Sequence, residues 1–143
     1  MRRRTFLFAM GAAAAGAAYA GDAQQQVFEL FTKIAGALSE GDAAVFLDAV
    51  DPAMPNYQDF RRDVMALTAL ADLANSIEVL SDTGDETHRT EQLDWFLEIV
   101  NKAQSHTVER RRENVKFKLE RKAKKWKIVS IEPPHFFGPP KAE

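Results

Sequence analysis

The stretch that decides the fold lies at residues 93–99 and reads LDWFLEI. Every second residue, beginning with the first leucine, is apolar, and two of the three positions between them are acidic. This two-residue period predicts a β-strand with one buried face. Ile77 and Val79 alternate in the same way before a turn at residues 82–85. The two stretches therefore predict a β-hairpin that packs one face on a core.

Two helices are predicted at the start of the domain. Apolar residues recur at three- and four-residue steps from Val27 to Leu38, which is one face of an α-helix. Gly41 is expected to end this helix as its C-terminal cap. Asp42 is placed to cap a short second helix, which should end at Asp51 because the residue before a proline avoids the helical conformation.

A third helix is expected to begin at Asn56. Together with Asp59, three residues on, Asn56 resembles a capping box in which aspartate replaces glutamate. The apolar stripe of this helix has helical spacing and consists of Tyr57, Phe60, Val64, Leu67 and Ala71.

Two further strands follow the hairpin. Val115, Phe117 and Leu119 alternate with lysines, whereas Val108 has the opposite parity, so we expect a β-bulge between residues 109 and 114. A last strand should run from Trp126 to Ile131 and end at two prolines. The Pro-rich tail at residues 135–143 is expected to be extended or loosely docked.

The first twenty residues have the pattern of a cleaved export signal. Three arginines at residues 2–4 precede an uncharged stretch, and small residues at 18 and 20 predict cleavage after Ala20. Arg3-Arg4-Thr5-Phe6-Leu7 resembles the twin-arginine export motif, with an ordinary secretory signal as the alternative. We therefore expect a periplasmic or secreted protein, without a membrane anchor after cleavage, whose single domain covers residues 21–134.

Charge is distributed unevenly along the 143 residues. Residues 22–100 hold 16 acidic and four basic side chains, a net of −12, whereas residues 101–127 hold 11 basic and three acidic ones, a net of +8. The basic run is interpreted as the solvated outer face of a sheet, or as a docking surface for an anionic partner or a second copy. No nucleic-acid binding is expected, because Phe117 and Trp126 stand at apolar core positions.

The order of three helices and an antiparallel sheet carries a resemblance to a known family. The joint Leu38-Ser39-Glu40-Gly41-Asp42 and the closing strand KWKIVSIE at residues 125–132 resemble the nuclear transport factor 2-like superfamily, which includes SnoaL-like polyketide cyclases, ketosteroid isomerase and scytalone dehydratase. The resemblance implies an α+β fold, in which three N-terminal helices pack into a strongly curved antiparallel sheet of about four strands, a cone-shaped barrel. It also implies a homodimer and a pocket, but no particular activity.

The pocket that the resemblance implies would be mainly apolar. Its expected ligand-binding residues come from all three helices and the long strand, and they are Phe31, Phe46, Tyr57, Phe60, Leu67 and Trp95. Tyr57 is the one tyrosine beyond the export signal, and its hydroxyl would lie at the mouth of the pocket.

Acid–base catalysis requires a titratable group on an inward position. Asp94 and Glu98 have the parity opposite to Trp95, so we expect no acid among the inward positions of the long strands. Asp94 would act as a base, with Tyr57 as hydrogen-bond donor, only if a bulge reversed the register.

The remaining reactive groups predict no further chemistry. The three histidines, His88, His106 and His135, are far apart in sequence and form no metal-binding motif, so neither a metal nor a cofactor is expected. The absence of cysteine and of a GxSxG motif argues against nucleophilic catalysis.

The sequence therefore predicts an exported, non-catalytic small-molecule-binding or accessory domain with a mainly apolar pocket. One alternative is a small SnoaL-like hydro-lyase, isomerase or cyclase that acts on a hydrophobic carbonyl compound. The other is a partner-docking protein that uses a basic sheet face. A cavity with Asp94 beside Tyr57 would favour the enzyme, and a filled cone would favour docking. A cavity without an ionisable group would favour binding, with the lining Phe31, Phe46, Phe60, Leu67 and Trp95.

Overall fold

The computed structural model describes residues 15–103 and 107–141, with side chains from Asp22 onward. Residues 1–14, and with them most of the proposed export signal, lie outside this description, as does His106. No helix in the described part of the chain is long and apolar enough to cross a membrane.

Three helices precede four strands. The elements are α1 (Ala15–Ser39), α2 (Ala43–Asp48), α3 (Tyr57–Leu70), β1 (Ala71–Gly84), β2 (His88–Asn101), β3 (Val108–Lys122) and β4 (Lys125–Glu132), followed by a short 3₁₀ helix at Pro134–Phe137. The strands form one antiparallel sheet in the order β1-β2-β3-β4. The helices pack against one face of this curved sheet, which confirms the predicted α+β architecture.

The joint between α1 and α2 is built as the sequence predicts. Gly41 has a φ of 74°, in the left-handed region that glycine adopts without steric cost. This turn lets the Gly41 and Asp42 amides donate to the carbonyls of Leu38 and Ala37, at 3.0 and 2.8 Å. The Asp42 carboxylate then accepts from the Val45 amide at 3.1 Å, which caps α2.

The capping box predicted for α3 is wrong. Asn56 does occupy the N-cap position, but its φ of 61° lies in the left-handed region and its side chain makes no capping hydrogen bond. An N-cap residue normally has an extended backbone, which directs its side chain at the first free amides of the helix. Asp59 instead forms an exposed ion pair with Arg62.

The bulge predicted in β3 is also wrong. β2 and β3 pair without interruption from Val100 and Val108 to His88 and Glu120. Val108 therefore lies on the outer face of the sheet and is 49% exposed. The register shifts occur elsewhere, at Leu80 in β1 and next to Lys118 where β3 pairs with β4.

The C-terminal segment is part of the core, so the expectation of a loosely docked tail is wrong. Phe136 and Phe137 are 2% and 0% exposed. Arg111 anchors the segment, because its guanidinium donates to the carbonyls of Phe136 (2.7 Å), Gly138 (2.8 Å) and Pro139 (2.7 Å). The sequence at this end is rich in proline, but its two phenylalanines close the interior.

Candidate functional site

The six residues predicted to line an apolar pocket form solid core instead. Five of them are at most 2% exposed, and Tyr57 is half-buried against them. The Phe137 ring lies among them, with centroids 5.2 Å from Phe46, 6.2 Å from Phe60 and 5.1 Å from Trp95. Phe117 continues the cluster, 4.8 Å from Phe31. None of the six lines any of the three described cavities, and their side chains pack on one another and on Phe137.

Asp94 is not placed to act as a base toward the interior. Its carboxylate accepts from Arg112 on the outer face, at 2.7 Å from Nη2 and 3.1 Å from Nε. These hydrogen bonds lower the pKa of Asp94 below its ordinary value, which keeps it ionised. Tyr57 packs on the opposite, helix-covered side of the sheet, so the structure does not bring the two catalytic candidates together.

An inward acid does exist, at Glu91. It has the same parity as Leu93 and Trp95, so it points toward the helices and is only 3% exposed. The expectation that no acid stands at an inward position of the long strands is therefore wrong. The alternation that begins at Leu93 can be extended by two residues toward the N-terminus. This extension would have identified Glu91 as an inward residue from the sequence.

A β-bulge brings a second carboxylate beside it. β1 and β2 shift register at Leu80, and beyond this point Asp82 pairs directly with Glu91. Residues paired across neighbouring strands point to the same face, so the bulge turns Asp82 inward. Its side chain is 19% exposed because β1 is the edge of the sheet. No periodicity in the sequence indicates this change of face.

Arg89 completes a buried charged cluster with Asp82 and Glu91. Its Nε and Nη2 donate to Asp82 Oδ1 at 2.9 and 2.6 Å, and its Nη1 donates to the Asp85 carbonyl at 3.0 Å. The nearest approach to Glu91 is 3.6 Å, from Nε to Oε2, which is too long for a hydrogen bond. Arg89 thus hydrogen-bonds to Asp82 and lies at ion-pair distance from Glu91, whose burial it offsets only in part.

The hairpin turn fixes the position of Arg89. The Asp85 carboxylate accepts from the amides of Thr87 and His88 at 2.9 and 2.8 Å, and these bonds lower its pKa. Gly84 has a φ of 136°, and a Cβ at this position would lie 2.2 Å from the His88 carbonyl oxygen. Only glycine fits this close approach of the two strands.

Burial raises the pKa of Glu91 to about 10, and the hydrogen bond and charge of Asp82 add to the effect. Burial and the neighbouring Asp82 thus both favour the protonated form of Glu91. Within the described part of the chain, its Oε2 atom is buried without a hydrogen-bond partner. This combination of a buried acid and an unused oxygen is the most unusual polar feature of the interior.

The outer face of the sheet carries charge in an ordered pattern. Asp72, Glu78, Asp94 and Glu98 lie on β1 and β2, whereas β3 carries four bases, Arg110, Arg112, Lys116 and Lys118, and one acid, Glu120, near the hairpin end. Two pairs join across strands, with Arg110 at 3.1 Å from Glu98 and Arg112 at 2.7 Å from Asp94. The face is thus acidic toward β1 and basic toward β3, and not uniformly basic as the charge run suggested.

Apolar side chains lie between and beside these charges. Phe96 stands on β2 at the centre of the face, between Ser76 on β1 and Arg112 on β3, and is partly exposed. Leu80 and Val108 are 51% and 49% exposed. A partly apolar centre with charges of both signs around it is the composition of a protein-binding surface.

The two larger described cavities lie outside the cone interior. A groove of about 320 Å³ runs between α1, α2 and β4, and a cleft of about 520 Å³ lies between β3, α3 and the C-terminal segment. Arg111 lines the cleft but is already bound to backbone carbonyls. Among the described residues, no group of three or more His, Cys, Asp or Glu side chains could hold a metal ion.

Comparison with known proteins rests on structure alone. No family model matches the sequence, and no curated protein matches it. A nuclear transport factor 2-like superfamily protein from Salmonella enterica serovar Typhimurium matches with a TM-score of 0.61 at 11% identity, over 86% of this chain and 95% of that one. The chain has the nuclear transport factor 2-like fold.

Other proteins with this architecture differ in what they are known to do. A type 2 hexachlorocyclohexane dehydrochlorinase matches with a TM-score of 0.66 at 7% identity, over 80% of this chain and 86% of that one. A nuclear transport factor 2-like protein from Novosphingobium aromaticivorans matches with a TM-score of 0.56 at 15% identity, over 77% and 79%. At such identities the likeness shows the fold and leaves the activity open.

Proposed function

We propose that this chain is an exported, non-catalytic accessory domain that works by docking through the outer face of its sheet. We further propose that a second copy of the chain is the first occupant of this face. The six residues expected to line an apolar pocket pack on one another and on Phe137, and this close packing supports docking over ligand binding. The observation that carries the proposal is the division of the outer face into an acidic side on β1 and β2 and a basic side on β3.

This division makes the face complementary to itself. A two-fold axis that runs along β2 superposes Phe96 of the two copies and lays β1 of one over β3 of the other. Glu78 of one copy then lies over Asn114 of the other, between Arg112 and Lys116. Glu78 on β1 thus faces the basic strand β3 on both sides of Phe96, whereas Asp94 and Glu98 lie near the axis and keep their partners Arg112 and Arg110.

Some of the charged side chains of this face form no ion pair within the described part of the chain. Arg110 and Arg112 pair with acids of β2, whereas no ion pair within the described part of the chain engages Glu78, Lys116 or Lys118. β1, β2 and β3 have 14, 14 and 15 residues, so their face measures roughly 46 by 14 Å. This area of roughly 650 Å², before side-chain relief is counted, approaches the ~800 Å² that each partner contributes to a standard interface.

Export is part of the same proposal. The arginines at positions 2–4 and the small residues before Gly21 support cleavage and a periplasmic or secreted location. The proposed cut after Ala20 would shorten α1, which spans Ala15–Ser39, at its N-terminal end. It leaves the outer face of the sheet intact, because that face is formed by β1, β2 and β3.

The docking proposal is tested by sedimentation equilibrium of charge-reversal variants. Lys116→Glu and Glu78→Lys should each weaken dimerisation by at least tenfold, and the double variant should recover most of the loss because the opposed charges are exchanged. Arg61→Glu, on the exposed surface of α3, is the matched control and should dimerise like the wild type. A monomeric wild type, or equal weakening by the Arg61 control, would exclude this face as the dimer interface.

A further inference from the structure

We propose that the groove between α1, α2 and β4 is a binding site for a short apolar peptide, of dipeptide size and with both ends free. The groove has a volume of about 320 Å³, at the lower end of the range for ligand pockets, and it is open to solvent along its length. None of its lining residues belongs to β1, β2 or β3, which form the proposed dimer interface. The site is therefore independent of docking through the outer face.

The edge of β4 offers main-chain hydrogen bonds to this groove. β3 and β4 are joined by a two-residue turn, Ala123-Lys124, in which the two φ angles are positive, at 50° and 69°. The pair that closes such a turn, Lys122 and Lys125, is hydrogen-bonded, and bonded and non-bonded pairs then alternate along an antiparallel ladder. Trp126 belongs to the next, non-bonded pair, so its N–H and C=O point away from β3 and toward α2.

Ile128, two residues further along β4, confirms this direction. Its N–H donates to the Ala49 carbonyl and its C=O accepts from the Asp51 amide, each at 2.8 Å. No described group outside the sheet forms such bonds with the main chain of Trp126, which lines the groove. An unpaired strand edge is a site to which an extended peptide can add, because it presents donors and acceptors at the spacing of another main chain.

The second residue of a dipeptide matches the donor and the acceptor of Trp126. Its amide N–H can donate to the Trp126 C=O while its carboxylate accepts from the Trp126 N–H, as two paired residues do in an antiparallel ladder. The groove also has an apolar lining for the ligand side chains, formed by Leu30, Ile34, Val45, Ala49 and Trp126. Burial of apolar ligand side chains on this lining would add to the main-chain hydrogen bonds.

The charged groups of the groove suit a ligand with two oppositely charged ends. Within the described part of the chain, the ammonium groups of Lys33 and Lys125 and the carboxylate of Asp48 have no ion-pair partner. The lysines can bind the carboxylate of a dipeptide, and Asp48 can bind its ammonium group. Trp126 Nε1 donates to Gln26 Oε1 at 2.9 Å, which leaves the Gln26 amino group as a further donor in the groove.

Binding is tested by isothermal titration calorimetry of the exported protein with L-leucyl-L-leucine. We expect saturable binding of one peptide per chain. Leucyl-N-methylleucine lacks the amide donor and should bind about tenfold more weakly, the effect of one hydrogen bond. Glycylglycine keeps both charges without apolar side chains and should bind more weakly still. Equal binding of leucyl-leucine and either analogue, or no binding of leucyl-leucine at about 10 mM, would overturn the proposal.

Variants then locate the site. Val45→Arg places a long side chain in the groove and should reduce the affinity at least tenfold, whereas Ala44→Arg, on an exposed neighbour that does not line the groove, is the matched control. Lys33→Gln changes an exposed residue, so it keeps the fold, and it should weaken binding about threefold. Lys102→Gln, also exposed but outside the groove, should bind like the wild type. Equal effects of Val45→Arg and Ala44→Arg, or wild-type affinity in both Val45→Arg and Lys33→Gln, would exclude this groove.

Discussion

The charge state of a single residue, Glu91, should make the stability of the protein depend on pH. Its pKa is about 10 in the folded chain and 4.5 in the unfolded one. Between these values the folded chain holds one proton more, so the contribution of Glu91 is fully present below pH 4.5 and is lost as the pH rises toward 10. The slope for one group cannot exceed about 1.4 kcal/mol per pH unit.

The measurement is urea unfolding of wild type and Glu91→Gln at pH 5, 7 and 9. Glutamine cannot ionise, so the variant should gain stability relative to the wild type at each step, by up to about 1.4 kcal/mol per pH unit. Glu40→Gln is the control, because Glu40 is exposed at the end of α1 and lies outside both the cluster and the outer face of the sheet. A difference between wild type and Glu91→Gln that is constant over this range would show that Glu91 is ionised in the folded protein.

The residues of this cluster differ in how well the sequence indicates them. Glu91 has the parity of Leu93 and Trp95, so its inward direction follows from the alternation of β2. Asp82 does not, because a bulge at Leu80 changes its face and a bulge leaves no periodic signal. Arg89 donates to Asp82, which lies beyond the bulge, and to the Asp85 carbonyl in the turn. Only the folded chain brings these groups together.

At the scale of elements, the C-terminal segment should contribute strongly to stability. Phe137 is fully buried in ring contact with Phe46, Phe60 and Trp95, so its truncation would leave a cavity among them. Phe137→Ala should therefore lower the free energy of unfolding by about 3–5 kcal/mol. His135→Ala, two residues away on an exposed side chain, should change it by less than about 0.5 kcal/mol.

Denaturant unfolding of the two variants measures both values. A loss below about 1 kcal/mol for Phe137→Ala would mean that the 3₁₀ helix at Pro134–Phe137 is only weakly held on the core. The anchoring by Arg111 to three backbone carbonyls argues against that result.

Element types could be predicted from the sequence because each has a regular period or a capping residue. The helical spacing from Val27, the caps at Gly41 and Asp42 and the alternation of β2 all correspond to observed elements. The role of the tail could not be predicted, because its prolines suggested an extended segment. Its two adjacent phenylalanines fill a space that only the assembled helices and sheet define.

In the whole molecule, the uneven charge of the sequence is brought together on one face of the sheet. The acidic and basic parts of the sequence fold onto neighbouring strands of one face, so the chain is not divided into an acidic end and a basic end. The predicted pocket required space inside the cone, which Phe137 occupies.

If two copies pair through this face, the thermal midpoint must depend on protein concentration. A tenfold increase in concentration favours a dimer by about 1.4 kcal/mol, which should raise the midpoint by roughly 2–4 °C. Added salt should reduce this dependence, because the charged pairs of the proposed interface lie partly in solvent.

Phe96→Ser should abolish the concentration dependence of the midpoint, since Phe96 stands at the centre of the face. Val108→Ser, at the end of the same face, is the milder comparison and should retain most of it. A midpoint that stays constant over a hundredfold concentration range would mean that the chain is a monomer, whose acidic and basic strands then face solvent or an unrelated partner.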